Sequence, residues 1–261
     1  MKTAFLFMCL WASTAACAAP ASVFIEDLTW PEVRDAIAAG ATTAIYYAGS
    51  TEQNGPHMAT GKHNFVARHV AGRIAAKLGN ALVYPIMPFA PTGDAVEKTG
   101  HMRFPGSVSV ADETYAAVAR DVALSARAAG FSHIVLMGDH GGGQQALKSL
   151  AASLGLQWAG RGTRIHYIPD VYCASEQRVR AYLAARGMPV GEHAGIPDTS
   201  ELMFIDGDGK WIRRDKLQPG DGGNGVNGDP RRSSAELGRM FIEFKIDAAV
   251  GQIRKLIPTG N

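Results

Sequence analysis

A three-layer α/β/α sandwich on a mainly parallel sheet is the fold class that this sequence predicts, and three observations point to it. Apolar, β-prone runs at 41–48, 81–85, 133–137 and 163–168 alternate with helix-patterned segments, the order that builds a parallel sheet covered by helices. The intervening segments carry helical spacing: Val66, Val70, Ile74 and Leu78 recur every four residues and share one face. The first and third apolar runs also stop at Gly-rich turns that deliver carboxylate and imidazole groups, as loops beyond the strand ends of such a sheet do.

The elements follow in order. Residues 30–39 (WPEVRDAIAA) form a short amphipathic helix with Pro31 in its first turn and Gly40 at its close. The first strand, 41–48, leads through a loop into the helix of Val66 to Leu78, capped by Gly79. A second strand, 81–85, precedes a long Gly/Pro-rich connection, 87–107, of a length that is more often functional than ornamental. Asp112 suits a helix cap, Tyr115, Val118 and Val122 continue that helix, and Gly130 stops it. Strand three, 133–137, runs into Gly141, Gly142 and Gly143 and then a helix carrying Leu147, Leu150 and Leu154. Backbone N–H groups of that glycine run suit either an anion or a tight strand-to-helix turn. A fourth strand, 163–168, a helix at 176–185 ended by Gly187, a polar insert at 192–200, a Gly/Asn-rich loop at 218–229 and a long helix at 233–256 complete the chain. No repeat or low-complexity linker interrupts it, so residues 20–261 read as one domain.

With 261 residues, 46% of them hydrophobic, the chain can bury a full core. Its 26 Lys plus Arg against 24 Asp plus Glu, with no basic stripe, argue against nucleic-acid binding. Residues 1–19 have Lys2, an apolar segment at 4–11 and small residues up to Ala18, the three parts of a secretory signal peptide and too short for a membrane span. The mature protein is thus expected to be secreted or periplasmic. Lipidation at Cys17 is disfavoured because Thr14 stands where an aliphatic residue is needed. Cys9 and Cys17 belong to that segment, which leaves Cys173 without a disulfide partner and reads it as a partly buried small hydrophobe.

The chemistry concentrates in two places. Residues 44–64 bring Glu52, His57 and His63 within a dozen positions, and GDHGGG brings Asp139 and His140. A carboxylate and imidazoles on loops beyond rigid strands are what a divalent metal site with an open coordination position requires.

Taken as an ordered set, GSTEQNGPH, FPGSVSV, GDHGGG, HAG followed by DTS, and NGVNGDP resemble the creatininase family. The resemblance runs from about Tyr46 to the last helix. It implies a three-layer α/β fold, assembly into homo-oligomers, and metal-dependent hydrolysis of amide C–N bonds in cyclic or formylated small molecules or in peptides. Position by position, Glu52 and His140 match two of the family's ligands. Its middle imidazole in the first motif is Asn54 here, its bridging Asp falls at His63, and its Glu before Thr-Ser is Asp198. An amide ligates poorly and an imidazole does not bridge two metals as a carboxylate does. The expected centre is therefore a single ion, with Zn2+ favoured over Mn2+ and Fe2+, held by Glu52, His63 and His140, with His57 as an alternative.

His193, in the HAG motif, matches the position that the family uses for proton transfer, and Asp198 is expected either to take the water proton, to hold a remnant second ion or to cap a helix. Asp139 reads as a partner orienting an imidazole, and His166 as packing or surface. The resemblance implies a small amide substrate, in a pocket expected from loops 87–107 and 206–229. A metal-free binding protein on the same fold, or a lactonase or peptidase, are the competing readings.

Overall fold

The computed structural model describes residues 20–258; the segment read as a signal peptide, with Cys9 and Cys17, lies outside them. Helix α1 (Trp30–Ala38) opens with a capping box, the Thr29 hydroxyl and backbone N–H both donating to Glu32 at 2.6 and 2.7 Å. Strand β1 (Thr43–Ala48) is buried at all six positions, because it lies mid-sheet with helices on both sides. Helix α2 (Lys62–Leu78) returns the chain to β2 (Ala81–Val83). Helix α3 (Asp112–Ala129) then leads to β3 (His133–Gly138), α4 (Gln144–Gln157) to β4 (Arg164–Tyr167), and α5 (Cys173–Ala184), α6 (Ile196–Ile205) and α7 (Ala235–Leu256) follow. In the loop between α6 and α7 a minimal antiparallel pair forms, β5 (Gly220–Asp221) with β6 (Asn227–Gly228).

The sheet is wholly parallel in the order β2-β1-β3-β4. Alternation along β1 divides the core. Ile45 and Tyr47 face α2 and α7 through Val66, Val70, Ile74, Ile242 and Ile246, while Ala44, Tyr46 and Ala48 face α3 and α4 through Tyr115, Ala119, Leu147 and Leu154. This is the three-layer sandwich expected. The chain leaves β1 toward β2 over one face and returns from β2 to β3 over the other, so the order reverses between β1 and β3. A crevice opens beyond the carboxyl ends of strands at such a reversal. Glu52 and His140 both lie there. Among the described residues no helix is long and apolar enough to cross a membrane.

Several local expectations shift. Three of the four sheet strands are shorter at one or both ends than their apolar runs, while β3 gains Gly138. His63 is not on a loop: α2 begins at Lys62 and holds His63 in its first turn. Asp112 is the first residue of α3 and Ala111 its cap. The polar insert at 192–200 is partly helical, since Pro197, at fixed φ, seeds the first turn of α6. Cys173 is exposed as the first residue of α5, where it was expected to be partly buried.

Candidate active site

Backbone geometry carries Glu52 inward. Beyond β1 the chain passes so close to the start of α2 that a Cβ at Gly49 would meet the Asn64 main chain at 2.9 Å. The Glu52 N–H then bonds the Thr60 carbonyl at 3.0 Å, closing the loop over a carboxylate with no exposed surface. Across the crevice the Asp139 N–H extends the sheet ladder by bonding the Ala48 carbonyl at 2.8 Å.

Glu52 is the hub. Its Oε1 lies 3.1 Å from His63 Nε2 and its Oε2 2.8 Å from His140 Nε2, while the Ser50 hydroxyl donates to Oε2 at 3.0 Å. Ligand atoms of the three residues all lie within 4.8 Å of one another. On a tetrahedral zinc with bonds of about 2.0–2.2 Å, neighbouring ligand atoms stand about 3.3 Å apart, close to these separations. Burial opposes ionisation of Glu52, but the charge and hydrogen bonds of His63 and His140 outweigh it and hold the carboxyl far below the usual range.

Behind His63 stands the partner that makes it a ligand. Its Nδ1 donates to Asp139 Oδ2 at 2.8 Å, so once a cation displaces the proton that Nε2 directs at Glu52, it is the Nε2 lone pair that faces the ion. Asp139 is thus the imidazole-orienting carboxylate, acting on His63 rather than on its neighbour His140. Asp139 in turn accepts from Lys245 Nζ at 2.8 Å and Tyr47 OH at 3.3 Å, and Lys245 reaches Glu201 at 3.4 Å. Burial again resists the Asp139 charge, and Lys245 and His63 prevail, keeping it ionised. The Gly142 N–H points at His140 Nδ1 at 2.9 Å, placing that ring's proton on Nε2 toward Glu52. To hold a cation at Nε2 this ring moves its proton to Nδ1 and gives up the Gly142 contact. With one carboxylate and two imidazoles, one of them backed by Asp139, the residues fit a divalent metal.

A second set shares Glu52: His101 and His193 also bring ligand atoms within 4.8 Å of it and of each other. His193 Nε2 donates to the Gln53 carbonyl at 2.9 Å and its Nδ1 stands 4.0 Å from Glu52 Oε1. His101 Nε2 is 3.8 Å from the same oxygen, and the two rings lie 4.5 Å apart, centroid to centroid. Burial lowers His101 to about 4 and lowers His193 as well, so both rings are neutral. His101 comes from the long connection after β2, three residues ahead of the FPGSVSV motif. That motif and the length of the connection are the sequence signals that mark it.

The remaining candidates fall elsewhere. Asp198 spends one oxygen on Lys62 Nζ at 2.7 Å and the other on the Ala194 N–H at 2.7 Å. Burial resists its charge, but Lys62 holds it well below the ordinary carboxylate range. It is absent from both ligand sets among the described residues. His57 is fully buried with Nε2 at 2.9 Å from Thr199 Oγ1, away from the cluster, and burial lowers it to about 4. Asn54 donates to the Glu52 carbonyl at 3.0 Å and serves the loop. The glycine run is explained by the turn: Gly143 has φ 83° and packs on the Tyr115 ring. A cavity of about 340 Å³ opens over Glu52, within the range of small-molecule sites. Of the loops expected to line it, 87–107 contributes His101 and 206–229 contributes Asn227; α5, through Ser175, Val179 and Arg180, and residues 190–193 supply much of the rest. Helix α5 does so because its start docks against the end of β3, Tyr172 reaching over Gly141.

The chain is 25% identical over 237 residues to a mycofactocin precursor peptide peptidase of Mycolicibacterium smegmatis, an alignment covering 82% of this chain and 85% of that one. It is 30% identical over 119 residues to a creatinine amidohydrolase of Pseudomonas putida, covering 46% of this chain and 45% of the relative, so this match spans less than half of that protein. A solved structure described as creatininase Mn superposes with a TM-score of 0.74 at 22% identity, covering 91% of this chain and all of that one. The model of the creatininase family, described as creatinine amidohydrolase, matches residues 26–253. Its fold, its hub carboxylate with converging imidazoles and this match agree: the chain belongs to the creatininase family of metal-dependent amidohydrolases, enzymes acting on amide C–N bonds.

Proposed function

We propose that this protein is an exported, single-zinc amidohydrolase that opens an amide C–N bond in a small polar substrate, cyclic or linear. The observation that carries the reading is the meeting of Glu52, His63 and His140 under a cavity, with Asp139 fixing the His63 proton on the far nitrogen. Those three residues would hold the ion, which when bound polarises a carbonyl and makes water acidic enough to attack near neutrality.

The protein's own groups supply the rest. His193 is neutral, with Nε2–H on the Gln53 carbonyl and Nδ1 turned toward Glu52. It is placed to take a proton from the attacking water and return it to the departing nitrogen. Asp198, with both oxygens engaged, acts as the anchor of Lys62 rather than as a base. The Lys62 ammonium, fully buried and part of the cavity wall, presents a fixed positive charge to a substrate carbonyl or carboxylate.

A peptide amide is the second reading, favoured by the longer of the two alignments. Metal analysis of the purified mature protein tests the centre: one zinc per chain is expected, and none sinks the hydrolytic reading in favour of a binding protein. Turnover on a panel of creatinine, formylated amino acids, lactones and short peptides, abolished by a chelator, distinguishes the bonds. The three-part pattern of residues 1–19 is what supports export, and fractionation of a tagged full-length chain tests it. Homo-oligomerisation is expected, and sedimentation of the mature protein reads it out.

A further inference from the structure

One donor at the centre lacks an acceptor in the protein. Gln53 is pinned on several sides: its backbone N–H donates to Ser107 Oγ at 2.9 Å, and its side-chain Oε1 accepts the Gly55 N–H at 2.9 Å. Gly225, at φ 80°, leaves the space its amide fills. Because a backbone N–H can only donate, the Gly55 contact assigns the amide oxygen and therefore its nitrogen. That NH2 faces His101 Nδ1 at 2.9 Å, and an amide nitrogen can only donate. His101 Nδ1 must accept, so the proton of this neutral ring sits on Nε2. Among the described residues nothing accepts that proton at hydrogen-bond distance; Glu52 Oε1, at 3.8 Å, is the nearest carboxylate oxygen. A ring carrying Nε2–H offers a metal no lone pair there, so ligation by His101, as by His140, waits on a shift of the proton to Nδ1, which for His101 the pinned Gln53 amide opposes. His193, held by the same residue through its backbone carbonyl, turns its unprotonated nitrogen inward.

We propose that His101 is a further catalytic residue, an N–H donor to the substrate's carbonyl oxygen as negative charge develops on it, and that Gln53 is the positioning residue that fixes its proton. One residue thereby divides two adjacent imidazoles into a donor and an acceptor. The proposal deepens the hydrolase reading and rests on it.

Long-range 1H–15N spectra of the metal-free, 15N-histidine-labelled protein locate the His101 proton directly. It is expected on Nε2 in the wild type and on Nδ1 in Gln53→Glu, whose carboxylate accepts where the amide donated. Zinc uptake by Gln53→Glu should rise from one ion per chain to two, since Glu52, His101 and His193 then present three open lone pairs. In the zinc-loaded protein, His101→Ala should weaken acetohydroxamate, a carbonyl-bearing probe, by about tenfold to a hundredfold, and His101→Gln, which keeps an N–H near the same place, should recover much of that loss. A wild-type His101 protonated on Nδ1, or hydroxamate affinity indifferent to His101→Ala, overturns the proposal. The spectrum is readable whether or not zinc binds, so its failure is distinct from a chain that takes up no metal, which defeats the function above.

Discussion

The two ends of strand β3 each carry an imidazole pair, and they behave differently. At its amino end His133 Nδ1 meets His166 Nε2 of β4 at 3.2 Å, and the rings stack 29° apart. Among the described residues neither is paired with a carboxylate, and burial, with Arg164 nearby, lowers both. Just past the carboxyl end, His140 and His63 converge on a buried Glu52, with Asp139 behind. The difference lies in the backbone. Strand ends at the order reversal are followed by loops and helix starts that bring acids among the imidazoles, whereas the other end receives chain entering from helix ends. An imidazole pair becomes a candidate ligand set through the carboxylates that orient and charge it.

The sharpest way to break this comparison is to remove the hub. Glu52→Gln keeps the volume but leaves a neutral amide against His63 and His140. Zinc stoichiometry should fall to near zero and turnover by about a thousandfold or more, with the far-ultraviolet circular dichroism unchanged. His133→Gln, at the other end, should leave both within about twofold. Retention of zinc by Glu52→Gln would end the claim that the carboxyl end alone is a metal centre.

The next effect lies in the support beneath the site. Lys245 and Asp139 are both buried, so Lys245→Met strands the aspartate charge and should cost about 3–5 kcal/mol in a urea melt. Asp139→Asn keeps the shape, releases the His63 tautomer, and should weaken zinc about tenfold to a hundredfold by competition with a chelator. If Asp139→Asn binds zinc like the parent, orientation of His63 is not what distinguishes this end of β3.

Much of this was legible in the residues themselves. The strands and α2 announce themselves because their burial is one-dimensional: a run of apolar side chains, or one every fourth residue, needs only its own segment to be read. Glu52 and His140 were legible for the same reason, as motifs at strand ends. The Lys62–Asp198 and Lys245–Asp139 pairs were not, because each joins residues more than a hundred positions apart and, although both aspartates stand in motifs, nothing local marks the lysines as their partners. His101 was legible as a residue of a connection read as functional, but not its place in the site, because the path of that connection depends on contacts such as that between its N–H and the Thr92 carbonyl at 3.0 Å. His63 was legible as a residue but not as a helical one, since Gly61 is a weak start signal and α2 has no side-chain cap.

The smallest expected effect returns to the amino end. His166, lowered from 6.5 to about 4 by burial, His133 and Arg164, is reluctant to take a proton when folded. The unfolded chain binds that proton first as pH falls, so between pH 6.5 and 4 the unfolded state holds more protons and stability rises with pH. This contribution is complete above the unfolded value and disappears as pH drops through the folded one. A half-buried ring is screened by solvent, which reduces the effect to about 1 kcal/mol. His166→Gln should therefore lose about 1 kcal/mol less than the parent between pH 7 and 4 in paired urea melts, while zinc uptake at pH 7 stays the same. An identical acid slope in both proteins would mean that the pair at this end is already solvated, and that water rather than the absence of carboxylates keeps it inert.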